Sequence, residues 1–157
     1  STTVRSGSFV RSLRELDSTL EVTAVACPVL VALVENGWID PQDEVTVAAV
    51  RRYLLPLREA QVDTVILGCT HFPLLAPLIQ AQLGEDVTLI DSGRETAAAC
   101  AARLADADAL CDPQKPQGRY HYFVSDQPEG FTQVAETFLG RPVHEAIDTI
   151  PPDTLRL

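Results

Sequence analysis

Cys69 and His71 stand two residues apart at the end of the apolar run Val65-Ile66-Leu67-Gly68, with Thr70 between them and Phe72-Pro73-Leu74-Leu75 following. A thiol and an imidazole so spaced can exchange a proton, and a thiolate is both a base and a nucleophile. The β-type run before Gly68, and Pro73 at the head of an apolar helical pattern, predict a strand, a tight turn and a helix N-terminus. Free backbone N–H groups and the positive dipole end of such a helix favour thiolate over a thiol that ordinarily titrates near ~8.5. The same residues fit a second reading, in which Cys69 is a small hydrophobe at the end of a buried strand. Spacing alone leaves both open.

The elements that must position this stretch can be read from periodicity and punctuation. Ser8 can cap a helix to Leu16, with Phe9, Leu13 and Leu16 on one face. Residues 20–27 have the β-branched, nearly continuous apolar character of a buried parallel strand. Pro28 then suits a first helical turn, and that helix stops at Gly37. Asp40-Pro41-Gln42-Asp43 opens a long helix to about Ala60, interrupted or kinked near Pro56. Residues 62–68 form the next strand, a helix runs to Leu83, and residues 86–91 form another strand.

Asp91-Ser92-Gly93 follows that strand, Ser92 reads as a helix N-cap, and an alanine-rich helix spans about 95–105. A strand over 120–125, a helix from Pro128 to Leu139 and a last strand over 143–147 complete the order. Strands alternating with helices imply an α/β fold with a parallel sheet and right-handed crossovers. Ligands bind beyond the carboxyl ends of such strands, and Cys69 lies at one of those ends.

Composition narrows the function classes. The 157 residues are 46% apolar and 22% charged, enough for one domain with a real core. A formal charge of −10 speaks against nucleic acid or an anionic membrane as partner. No apolar run approaches the roughly 20 residues of a bilayer span and no signal peptide is visible, so a soluble, cytoplasmic protein is expected. Cys27, Cys69, Cys100 and Cys111 form no C-x-x-C pair and no metal-ligand spacing with His71, His121 or His144; reduced thiols and no metal are expected. The only lysine, Lys115, lies in a Pro-rich loop, a poor position for the Schiff base of a pyridoxal-phosphate enzyme.

Leu67 to Leu75, read as LGCTHFPLL, resembles the second active-site motif of the glutamate racemases, members of the cofactor-independent amino-acid racemases. Aspartate racemases usually carry an acidic residue where His71 stands, so the match favours glutamate. Val34-Glu35-Asn36-Gly37 is similar to the stretch that supplies an acidic residue beside that family's active site. The resemblance implies Cys69 as acid or base on one face of the α-carbon, with His71 and Glu35 assisting its proton transfer. Thr70 would hold the substrate's amino or carboxylate group, and Thr3 matches a further substrate-contact threonine. No cofactor is implied, and the substrate is L- or D-glutamate, made in D form for peptidoglycan.

The resemblance further implies a flavodoxin-like three-layer lobe of a two-lobe racemase. Residues 1–91 would be the second lobe and residues 92–157 the segment that returns to complete the first. The family's other cysteine motif finds no match here, and the chain has no methionine, so a fragment is expected, with activity of the isolated piece in doubt. Uncovered apolar surface would favour self-association into a homo-oligomer. The alternatives are an aspartate-type racemase, a thiol hydrolase with Cys69 as nucleophile, or a non-catalytic binding module.

Overall fold

A computed structural model of the protein describes residues 2–116, 118–125 and 127–151, without the side chains of Thr2 and Thr3. The chain divides into two compact units, residues 1–99 and 100–157.

In the first unit, α1 (Thr2–Ser6) and α2 (Ser8–Leu16) precede α3 (Pro28–Glu35) and α4 (Glu44–Glu59). Pro28 starts α3 because a proline at the first helical position gives up an N–H that would be unpaired anyway. Leu30 and Val34, one turn apart, are its buried pair. The helix ends where Gly37 takes φ +76° and its N–H reaches the Val34 carbonyl at 2.9 Å, a reversal that favours glycine.

Asp43 caps α4 by accepting from the Thr46 N–H at 2.8 Å. Thr46, Val50, Leu54 and Leu57 are buried along one stripe. The fully buried Thr46 hydroxyl is satisfied by donating to the Trp38 carbonyl at 3.2 Å. Pro56 does not interrupt this helix, which continues through it to Glu59.

Strand β1 (Thr64–Leu67) pairs in parallel with β2 (Thr88–Asp91), and the register sets Leu67 opposite Asp91. Between them lie a 3-10 turn (Phe72–Leu75) and α5 (Ala76–Leu83). Helix α4 packs on α3 and α5, and α3 also packs on the 3-10 turn. Leu75, Leu78 and Ile79 fill the space with Leu30, Val34, Val50 and Leu54. Leu75 is 1% exposed, so Leu75→Ala is expected to lower stability by about 2–5 kcal/mol through a cavity at the foot of the motif turn, measured by urea denaturation. A loss below ~1 kcal/mol would mean that the turn is not anchored by this side chain.

Helix α6 (Ser92–Asp106) follows β2 directly. In the second unit, β3 (His121–Val124) pairs in parallel with β4 (Ala146–Thr149), and α7 (Pro128–Leu139) packs against β4. Ala135 and Val143 are buried there. The α/β class with parallel strands matches the sequence expectation.

Three local expectations are corrected. Residues 20–27 enter no strand among the described residues, since β character becomes a strand only when a neighbour takes up its N–H and C=O groups. The last strand is Ala146–Thr149, beginning three residues later than read, because Val143 is buried and its N–H is taken by the Glu136 carboxylate at 3.1 Å. Pro73 opens a 3-10 turn, so the α-helix behind the motif starts at Ala76. Among the described residues no helix is long and apolar enough to cross a membrane.

Candidate active site

Strand β1 ends at Leu67, and Gly68 turns the chain so sharply that its N–H bonds to the Ile66 carbonyl at 2.9 Å. Cys69 follows, partly buried, with its carbonyl held by the Phe72 N–H at 3.2 Å. That hydrogen bond folds the chain back and brings His71 beside the thiol. The Cys69 Sγ and His71 Nδ1 lie 3.5 Å apart, and the Thr70 Oγ1 lies 3.3 Å from the same nitrogen.

The other ring nitrogen, Nε2, meets the Glu35 Oε1 at 3.1 Å. Glu35 reaches it from the last turn of α3, which packs on the 3-10 turn. Its acceptor position explains a negative charge at the C-terminal end of a helix, where the dipole disfavours one. The imidazole is 18% exposed and the carboxylate 51%.

The chemistry of this chain follows from its donors and acceptors. A carboxylate can only accept, so Nε2 carries the proton that faces Glu35. In a neutral ring Nδ1 is then the acceptor, open to the proton of Cys69 or of Thr70. When Nδ1 takes the thiol proton, Glu35 stabilises the resulting imidazolium and the sulfur becomes thiolate. Carboxylate, imidazole and thiol in this order form a base that is oriented and electrostatically backed.

Glu35, Cys69, Thr70 and His71 are therefore brought together, whereas the side chain of Thr3 lies outside the described residues. Three neighbours were not singled out as part of the site from the sequence. Cys27, at the N-terminus of α3, donates to the Val25 carbonyl at 3.7 Å. Burial, with a smaller contribution from charge on Cys69, pushes its thiol up to about 11. The Cys27-Pro28 pair at the head of the helix that ends in Glu35 was the available signal. Phe9 of α2 lies against Gly68, its ring carbon 3.6 Å from where a β-carbon would stand.

The third neighbour is Ser92, which is not the cap of α6. Asp91 caps it, accepting at one carboxylate oxygen from the Gly93 and Arg94 N–H groups at 2.9 and 3.2 Å, and the Ser92 hydroxyl donates to the Leu67 carbonyl at 3.1 Å. A hydroxyl in the first turn can go either way, and the strand register brings Leu67 within its reach.

Two concavities, of about 660 and 270 Å3, lie elsewhere. One is lined by Arg119, Tyr120 and Arg141, the other by Leu57, Val62 and Leu83. Neither includes Cys69, His71 or Glu35. Among the described residues no three His, Cys, Asp or Glu side chains gather as metal ligands.

A parallel α/β unit with a thiol and an imidazole beyond a strand end defines the class, and residues 3–100 match the family of Asp/Glu/hydantoin racemases, to which this chain belongs. Within it, the similarity is to glutamate racemases. The Geobacter metallireducens glutamate racemase is 46% identical over 138 residues, 88% of this chain and 50% of the relative. The Mycobacterium tuberculosis glutamate racemase is 41% identical over 135 residues, 86% of this chain and 49% of the relative. A crystal structure of the Bacillus anthracis glutamate racemase isoform RacE1 superimposes with a TM-score of 0.83 at 37% identity, over 96% of this chain and 54% of that one. The chain spans about half the length of the curated relatives it matches.

Proposed function

We propose that the protein carrying this chain interconverts L- and D-glutamate without a cofactor, supplying D-glutamate for peptidoglycan. Cys69 is the acid–base on one face of the α-carbon. The observation that carries this reading is the unbroken hydrogen-bonded series from Glu35 through His71 to Cys69. As thiolate, Cys69 removes the α-proton, and a second thiol on the opposite face returns one. Thr70 and Thr3 bind the amino and carboxylate groups. Glutamate is the substrate named by the relatives, and His71 is the residue that favours it over aspartate.

Cys69 is only partly buried, which leaves a side for a second lobe to cover. A carbanion without a cofactor needs exclusion of water and fixed dipoles around it. Residues 1–91 then act as one lobe and residues 92–157 as the segment completing the other, with the second thiol contributed from outside these 157 residues.

Proton exchange tests the reading. In D2O, D- or L-glutamate should gain deuterium at the α-carbon with inversion, followed by proton NMR and chiral chromatography, while aspartate stays unlabelled. The same thiol–imidazole–carboxylate order would also suit a hydrolase. A covalent acyl adduct on Cys69 without α-deuterium would favour that reading and defeat the racemase.

A further inference from the structure

The Asp91-Ser92-Gly93 stretch has no part in the proton transfer described so far, yet it closes on the motif from the neighbouring strand. We propose that it is the positioning device for Cys69, with Ser92 as the positioning residue; this rests on the reading of Cys69 as the reactive thiol.

Three observations converge. Parallel register sets Leu67 level with Asp91, so the two chains leave the sheet side by side. The Ser92 hydroxyl, partly buried, donates to the Leu67 carbonyl at 3.1 Å, joining the chains just beyond their last ladder pair. Leu67 is itself 3% exposed and anchored in the core, so a restraint on its carbonyl fixes the plane from which Gly68 departs. Two residues later stands Cys69, whose sulfur must stay within reach of the His71 Nδ1.

Asp91 and Gly93 have complementary parts. The Asp91 carboxylate receives the Gly93 and Arg94 N–H groups, so α6 starts with no intervening loop and Ser92 is held in its first turn. A β-carbon on Gly93 would lie 3.3 Å from that carboxylate oxygen, tighter than most such contacts. Asp91 thus starts the helix, Gly93 lets the cap close, and Ser92 ties it to the motif strand. Freed from the tie, the Gly68–Cys69 turn would sample positions in which thiol and imidazole are apart, and the proton would be shared less often.

The experiment uses the full chain and follows alkylation of Cys69 and of Cys27 by iodoacetamide from pH 6 to 9.5, resolved by peptide mass spectrometry. Ser92→Ala should slow Cys69 roughly three- to tenfold at pH 7, the range expected for one lost hydrogen bond, and move its pH profile upward. Cys27 should be unaffected and Ser92→Thr should restore the rate. Should Ser92→Ala fail to fold, Gly93→Ala, which keeps the hydroxyl but crowds the cap, should move the profile in the same direction.

A Ser92→Ala profile superimposable on that of the parent chain, or a slowing that Ser92→Thr does not rescue, overturns the positioning role alone. If Gly93→Ala has to stand in, an unchanged profile overturns it too. A parent chain whose Cys69 reacts no faster than Cys27 overturns the reactive-thiol reading, and the positioning role with it.

Discussion

Replacing Cys69 by serine is expected to lower α-proton exchange of glutamate at least ~10³-fold in the protein that carries this chain, because the group proposed to accept the proton is lost. A hydroxyl at the same place keeps size and hydrogen bonding to the His71 Nδ1, 3.5 Å away, but does not ionise in the range where a thiol does. Glu35→Gln tests the next link. An amide can accept from Nε2 through its oxygen, yet it does not stabilise imidazolium as a carboxylate does, so a loss of roughly ten- to a hundredfold is expected. Deuterium wash-in by NMR, starting from each enantiomer, reads both. If Cys69→Ser kept more than a tenth of the parent rate, proton transfer would have to be assigned to another group.

The second large effect separates Cys69 from Cys27. Burial holds the Cys27 thiol near 11, so only about one part in 10⁴ is thiolate at neutral pH. Cys69, paired with an imidazole that can take its proton, should be alkylated at least ~100-fold faster at pH 7, and the ratio should shrink as pH climbs toward 11. Similar rates for the two thiols at pH 7 would remove the evidence for an activated sulfur.

The same burial has a consequence for stability. The folded chain holds the Cys27 proton more tightly than the unfolded chain, whose thiol titrates near 9. Its contribution is therefore fully present below about pH 9 and is lost as pH rises through about 11. The side chain is only partly buried, so the loss is of order 1 kcal/mol. Cys27→Ser should abolish that part of the alkaline decline in urea melts; an unchanged decline would mean that the thiol is not desolvated.

Much of the helical framework was legible because its signals are local. Pro28 and Gly37 bracket α3, Asp43 closes the stretch that opens α4, and Pro128 starts α7, each by rules that involve a few adjacent residues. Residues 20–27 misled for the complementary reason. Their apolar, β-branched character states a preference, but a strand exists only through a neighbour, and no strand among the described residues pairs with them. The proline of the motif was read as the start of an α-helix, whereas the Cys69–Phe72 and His71–Leu74 hydrogen bonds tighten the segment into a 3-10 turn first.

The site divides along the same line. Residue types and order within 67–75 already specified a thiol, a hydroxyl and an imidazole at a strand end, since those properties belong to the side chains and to a nine-residue stretch. Glu35, 36 residues before His71, was reached through a family likeness; only folding shows its carboxylate on Nε2, because α3 must pack on the 3-10 turn to deliver it. Tertiary structure also decided that Ser92 ties down Leu67 instead of capping its helix, and that burial with nearby Cys69 holds the Cys27 proton. Local chemistry is written in neighbouring residues, whereas distances between remote groups arise only when strand register and helix packing close the chain upon itself.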